Sequence, residues 1–209
     1  MNRSNQLAPI DDATASADAQ SAPAERRRSP RLRTVYRVAR VAARGDQGLA
    51  RIQNISDEGL MISTSMELFR GDAVQIDLSD DCILTGLVAW YDEGRCGIQL
   101  LRPVDSSALL RRLYDERHSG RGRPLRLAHS KRVVVVSEQG QRAAVLRDIS
   151  QAGLKIWHKG HFSPGLAVKV LLAPGMERRG VVRWSKDGVA GIALTEILSV
   201  EELGSMSSF

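Results

Sequence analysis

An arginine-rich run near the start of the chain contains the first residues whose types and spacing could do chemistry. Residues 25–33 read Glu-Arg-Arg-Arg-Ser-Pro-Arg-Leu-Arg, so five arginines face one glutamate. A guanidinium group is planar, binds phosphate through paired N–H donors and stacks on flat rings. An ordinary solvated surface would explain most of the 25 arginines in the chain, but not this clustering. The run therefore favours an anionic partner.

A turn motif follows the arginine run. Asn54, Ser56 and Gly59 have the spacing Asn-x-Ser-x-x-Gly, which combines short polar side chains with a glycine. Such a pattern on its own is usually a plain β-turn. Together with the upstream arginines it favours a turn that offers donors and acceptors to a ligand. Gly59 permits a positive φ angle and lets the backbone approach closely.

Catalytic groups and metal ligands are sparse in the sequence. No Ser-His-Asp set, pair of catalytic carboxylates or glycine-rich phosphate loop can be identified, so we predict that the protein is not an enzyme. His158 and His161 lack a cysteine or carboxylate set around them, so we expect no metal site. Cys82 and Cys96 are too few for a metal cluster and favour free thiols in a cytoplasmic protein. No apolar stretch is long enough to suggest a membrane span.

The chain contains an internal repeat. Residues 54–100 align without a gap on residues 148–194, and about a third of the aligned positions are identical. Five glycines coincide in this alignment, and Trp90 coincides with Trp184. Because the two tryptophans occupy equivalent strand positions, core packing is favoured over ligand stacking. The repeat predicts two copies of one small domain.

Each copy is predicted to consist mainly of short strands. Residues 73–78 alternate apolar and polar side chains, which is the period of a half-buried strand. Several such strands separated by turn signals favour a small sandwich or barrel. After the last strand of the first copy, Asp105 can cap a helix whose apolar stripe of Leu109, Leu110 and Leu113 would pack on the barrel. A similar segment begins at Ser199 in the second copy.

The arginine run, followed by the turn motif inside a repeated β domain, resembles the PilZ domain family. The resemblance covers each repeat almost end to end, including the closing strand. It implies an all-β fold of two small six-stranded antiparallel PilZ-like β-barrels, the first with a C-terminal helix. It also implies that the ligand is cyclic di-GMP, a bacterial second messenger that this family binds through Arg-x-x-x-Arg and Asp/Asn-x-Ser-x-x-Gly.

The resemblance also implies roles for residues of the first copy. Arg27 and Arg31 match the two signature arginines. An arginine can hold a phosphate, or the O6 and N7 atoms of guanine, with two donors. Asn54 can meet a guanine edge, and Ser56 can either donate to the ligand or fix the turn. The implied cyclic di-GMP-binding residues are Arg26, Arg27, Arg28, Arg31, Asn54, Ser56 and Gly59.

The second copy departs from the family pattern upstream of its turn. Four positions before Arg126 lies Gly122, so one signature arginine is missing, although Arg121 or Arg123 could substitute with a different reach. The turn motif itself is intact. We expect this copy to bind weakly or not at all; its candidate residues are Arg121, Arg126, Asp148, Ser150 and Gly153.

The predicted organisation has three parts. Residues 1–24 form a disordered tail, residues 25–118 a PilZ-like domain with complete motifs, and residues 119–209 a second PilZ-like domain with a degenerate arginine motif. We predict a cytoplasmic effector that needs no cofactor, orders its flexible 25–33 segment over the first barrel when cyclic di-GMP binds, and signals to a protein partner.

Two other functions have to be weighed against this prediction. A β-barrel that binds no nucleotide could serve as a protein-interaction module, but it would not need the arginine run. A nucleic-acid binder would want aromatic side chains among the arginines for base stacking. The 26–33 run contains none.

Overall fold

The computed structural model describes residues 32–119 and 123–209. These residues form two closed six-stranded antiparallel β-barrels with a single α-helix between them, which confirms the predicted fold. Several residues of the sequence predictions lie outside the described residues. They are the 1–24 tail, Arg26, Arg27, Arg28, Arg31 and Arg121.

The strands of the first barrel are arranged in the order β1-β2-β3-β6-β5-β4. Alternate side chains along each strand point into the barrel, so that Ile62 and Ile76, for example, are fully buried. The core is aliphatic, and each buried side chain of this kind stabilises the fold by about 1.5–3 kcal/mol. The strand bounds are β1 Leu32–Ala43, β2 Asp46–Ile55, β3 Gly59–Thr64, β4 Ala73–Ser79, β5 Cys82–Asp92 and β6 Arg95–Leu100.

The second barrel has the corresponding strand order, β10-β11-β12-β9-β8-β7. From its third strand onward, the strands begin and end at positions equivalent to those of the first barrel in the sequence repeat. The strand bounds are β7 Leu127–Ser137, β8 Gly140–Ser150, β9 Gly153–His158, β10 Ala167–Ala173, β11 Met176–Lys186 and β12 Val189–Leu194.

The start of β1 corrects the prediction of a flexible segment over residues 25–33. Leu32 and Arg33 belong to β1, where they pair with Ile55 and Asn54 of β2. The antiparallel ladder satisfies their backbone groups. The arginine-rich segment therefore joins the barrel two residues earlier than the sequence suggested.

The helix α1, Ser106–His118, follows β6 as predicted. The Asp105 side chain caps it by accepting a hydrogen bond from the backbone N–H of Ala108 at 2.8 Å. Its apolar side chains pack against the core of the first barrel, and Leu113 is almost fully buried there. The equivalent residues of the second barrel, from Ser199 onward, form turns instead of a helix. No helix in the described ranges is both long and apolar enough to cross a membrane.

Residues 198–209 form a segment that joins the two barrels. Its apolar side chains are buried in the second barrel's core, and Leu49 of β2 is buried in the same cluster. The backbone N–H of Leu49 donates to the carbonyl of Leu203 at 2.7 Å, and that of Met206 donates to the carbonyl of Gln47 at 2.8 Å. Strand β2 of the first barrel thus contributes a side chain to the hydrophobic core of the second barrel.

Close backbone approach makes this junction tight. A Cβ atom on Gly48 would lie 1.9 Å from the carbonyl oxygen of Gly204, so only glycine fits there without a shift. Around this contact, Arg51 pairs with Glu201 at 3.0 Å. From β1, Arg40 donates through Nη1 to the carbonyl of Arg126 at 3.1 Å. The position of the second barrel therefore depends on β1 and β2 of the first.

Candidate functional site

The candidate site begins at the turn between β2 and β3. Ser56 donates through its backbone N–H to the carbonyl of Gly59 at 2.8 Å, and its hydroxyl donates to the same oxygen at 3.1 Å. Of the two roles left open for Ser56, this geometry favours fixing the turn, because the hydroxyl proton is already used within it. The turn is built by the motif residues themselves.

Gly59 is required for a different reason than the sequence suggested. Its φ is not positive, because the residue already belongs to β3 and pairs with Gln99 of β6. The left-handed conformation that a glycine permits is not used here. The expected close approach is present, since a Cβ atom on Gly59 would lie 2.7 Å from the carbonyl oxygen of Ile98. A larger residue here would push β3 away from β6.

Asp57 anchors the turn to α1, a role that sequence reasoning missed. Its Oδ1 atom accepts from the Ser106 hydroxyl at 2.5 Å and from the Ser106 backbone N–H at 3.1 Å. Hydrogen bonding to the Ser106 hydroxyl lowers the pKa of the Asp57 carboxyl, because it favours the ionised form. The backbone carbonyl of Asp57 accepts from Val104 at 2.8 Å. The turn is therefore held from its α1 side.

Four residues on adjacent strands form an outer row across the first barrel. Asn54 pairs with Met61, Met61 pairs with Gly97, and Gly97 pairs with Trp90. Residues directly opposite one another in antiparallel strands project to the same face. This outer row places the first residue of the turn motif, which is half-buried, on the same face as a large aromatic side chain.

Trp90 does not pack in the core, and the prediction that it would was wrong. Its side chain is 40% exposed. A register shift between Val88 and Trp90 turns it outward, although simple alternation from Val88 would turn it inward. The ring lies over Gly97, where an added Cβ would come within 2.0 Å of the indole Nε1 atom. The same arrangement recurs in the second barrel, where Trp184 covers Gly191.

The arginine-rich segment joins the barrel beside this turn and outer row. The first described residue, Leu32, pairs with Ile55, and Arg33 pairs with Asn54. Arg31 directly precedes Leu32 in the sequence. The chain that carries the four predicted binding arginines is thus attached next to Asn54 and the turn that follows it.

The second barrel repeats the turn but changes its charges. The Ser150 hydroxyl donates to the carbonyl of Gly153 at 3.2 Å, as in the first barrel. Asp148 is buried and accepts a hydrogen bond from Nη1 of Arg126 at 2.6 Å through Oδ1. Its Oδ2 atom lies 2.5 Å from Nζ of Lys155. The candidate residues Arg126 and Asp148 are therefore already paired with each other.

The histidine and cysteine side chains considered in the sequence analysis include three that are buried in the barrels, namely His158, Cys82 and Cys96. His158 is buried; its Nδ1 accepts from the backbone N–H of Gly160 at 3.3 Å, and its Nε2 lies 3.3 Å from the Ser185 hydroxyl. Both cysteines are buried and unpaired with each other. Burial raises the pKa of Cys82 and raises that of Cys96 to about 11, so neither thiol is ionised at neutral pH. Within the described ranges, no three His, Cys, Asp or Glu side chains are grouped as metal ligands.

The chain is similar to known proteins over both barrels. The family model for the PilZ domain matches residues 25–116 and again residues 115–204. A solved structure of PlzA from Borreliella burgdorferi in complex with c-di-GMP is 13% identical, with coverage of 82% of this chain and 90% of that one and a TM-score of 0.36. The inhibitor of motility MotI/DgrA from Bacillus subtilis is 14% identical, with coverages of 78% and 88% and a TM-score of 0.29. YcgR from Escherichia coli in complex with c-di-GMP is 11% identical, with coverages of 78% of this chain and 76% of that one and a TM-score of 0.28. No curated protein sequence matches.

The contact between Asp57 and Ser106 predicts a pKa change. The substitution Ser106→Ala removes the hydroxyl donor, so the pKa of Asp57 should rise toward the usual carboxyl value, as followed by a carbon-detected NMR titration. A depressed pKa stabilises the fold above the unfolded-state pKa, and this contribution is lost as the pH falls through the folded-state value. The variant should therefore lose less stability on acidification. Ser107→Ala, at an exposed neighbouring hydroxyl, is the control; equal pKa values in both variants would contradict the assignment.

Proposed function

We propose that this chain, which belongs to the PilZ domain family, is a receptor for cyclic di-GMP in the bacterial cytoplasm and catalyses no reaction. One observation carries the proposal. Leu32 and Arg33 pair with Ile55 and Asn54, so the arginine-rich segment joins the first barrel beside the second family motif. This attachment point supports a single binding site formed by both motifs of the family.

The groups around the first barrel's turn complement the chemistry of cyclic di-GMP. The ligand has two phosphates and two guanines, and guanine offers the acceptors O6 and N7 and the donor N2. Arginines can hold the phosphates or the O6 and N7 atoms with two donors. The amide of Asn54 can both accept from and donate to a guanine edge. The exposed ring of Trp90 offers a flat face on which a base can stack.

The same strands offer a route for the signal. β1 carries the arginine-rich segment at one end, and further along it Arg40 donates to the carbonyl of Arg126. Arg40 also donates through Nε to buried Asp77 at 2.7 Å, which fixes its direction. When residues 25–31 become ordered over the outer row, the position of β1 shifts, and with it the contact between Arg40 and Arg126. A protein partner then binds the altered surface between the barrels.

Calorimetric titration tests the binding proposal directly. The intact protein should bind cyclic di-GMP with micromolar or tighter affinity, about −8 kcal/mol. Cyclic di-AMP is the control, because adenine lacks the O6 acceptor and the N2 donor. Absence of heat at ligand concentrations in the tens of micromolar would refute the proposal.

Two matched variants assign the site in the same titration. Arg31→Ala should cost about 1.5–3 kcal/mol, because it removes a charge-assisted contact to the ligand. Arg126→Ala, at the equivalent position of the second barrel, should change the affinity much less. Equal losses in both variants would mean that the second barrel holds a working site.

Hydrogen exchange tests the ordering step. Fixing a residue's backbone costs about 1–2 kcal/mol, so several bidentate contacts are needed to hold the segment. Residues 25–31, which precede β1, should exchange their amide hydrogens more slowly in the complex than in the free protein. Residues 119–124, which precede the Arg126 contact in the second barrel, are the internal control and should not change. If residues 25–31 exchange equally slowly in both states, the site is pre-formed and the signal arises elsewhere.

A further inference from the structure

We infer that Lys155 closes the second barrel to cyclic di-GMP, an inference that rests on the proposed function of the first barrel. The missing signature arginine at Gly122 is one difference between the two copies. Lys155 is a second and independent one, and it lies on the outer face of β9, opposite the residue that begins the turn motif.

The pairing of strands places Lys155 where the first barrel has Met61. Asp148 pairs with Lys155 in the second barrel as Asn54 pairs with Met61 in the first. The remainder of the outer row is preserved, because Gly191 and its covering tryptophan occupy the positions of Gly97 and Trp90. The two rows therefore differ only in the pair that begins them.

This pair changes the hydrogen-bonding capacity of the second site. The Oδ1 atom of Asp148 accepts from Arg126 at 2.6 Å, and Oδ2 lies 2.5 Å from the Lys155 ammonium. The Asp148 side chain is only 11% exposed, so little of it remains free for a ligand. Within the described part of the chain, the Asn54 side chain makes no hydrogen bond, and the thioether opposite it brings no charge. The first site therefore has no counterpart of Lys155 opposite its motif residue.

Because the Asp148 carboxylate is already paired with two cations, it is not available to bind guanine. The N2 group of guanine is a donor, and it needs an acceptor on the protein. An ammonium has three donors and no acceptor, so Lys155 cannot replace the oxygen that it covers. A guanine edge would have to displace Lys155 and leave its charge without a partner.

The ion pair acts on selectivity more than on folding. Lys155 and Arg126 are 41% and 51% exposed, so solvent screens the charge of each cation, and either of them can pair with the buried Asp148 carboxylate. Ligand binding, in contrast, is disfavoured whenever the bound state leaves polar or charged groups of the protein unpaired. The second barrel is therefore expected to fold when Lys155 alone is replaced, because Arg126 still pairs with Asp148.

Transplanting the pair into the first barrel isolates the effect of the lysine, because the arginine run is complete there. Asn54→Asp keeps the family signature and serves as the reference against which the next two variants are compared. The double variant N54D/M61K recreates the pair of the second barrel and should bind at least about tenfold more weakly than N54D in calorimetry. The control N54D/S63K adds the same charge on the same face of β3, away from residue 54, and should keep the affinity of N54D.

The outcomes separate this inference from the proposed function. If N54D/M61K binds as tightly as N54D, or more tightly because the ammonium holds a phosphate, the inference is overturned while the receptor proposal stands. If the wild type binds no cyclic di-GMP, both are overturned. The reciprocal experiment uses the second barrel: G122R/K155M should add a second binding event per chain, whereas G122R alone should not. A second event with G122R alone would also overturn the role of Lys155.

Discussion

The pairing register between antiparallel strands is the constraint on which the whole proposed site depends. A shift of one residue turns a side chain from one face of a sheet to the other. The first barrel has such shifts between Ile52 and Asn54 and between Val88 and Trp90. They bring Asn54 and Trp90 to the same outer row, although the two residues lie on strands that are not neighbours. Closure of the barrel fixes the register of all six strands together, so the row is set before any ligand arrives.

β1 and β2 serve both the site and the junction between the barrels. At one end they hold Arg33 opposite Asn54, and toward the other they carry Gly48, whose backbone touches segment 198–209. Close-packed interiors resist deformation, so a displacement of β1 and β2 at the site end is transmitted along the two strands to the junction. The fold therefore offers a physical reason why a ligand on the first barrel should affect the second, and why the second need not bind a ligand itself.

Local features were predictable from the sequence, and features made by distant strands were not. The family, the two barrels and the helix capped by Asp105 were predicted and are confirmed, because repeats, alternation and caps are read from neighbouring residues. The outward orientation of Trp90 was mispredicted, because the alternation of apolar and polar residues in a sequence does not reveal a register shift between strands. The contact of Asp148 with Lys155 was not foreseen, because it depends on which residues face each other across two strands.

The central claim is that cyclic di-GMP binds over the outer row of the first barrel. The three tryptophans of the chain report on this directly, since Trp90 lies in that row and Trp157 and Trp184 belong to the second barrel. In a nitrogen–proton correlation spectrum, the indole N–H resonance of Trp90 should shift during a titration with cyclic di-GMP while the other two change little. A shift of Trp184 as large as that of Trp90, or no indole shift at saturating ligand, would contradict the claim.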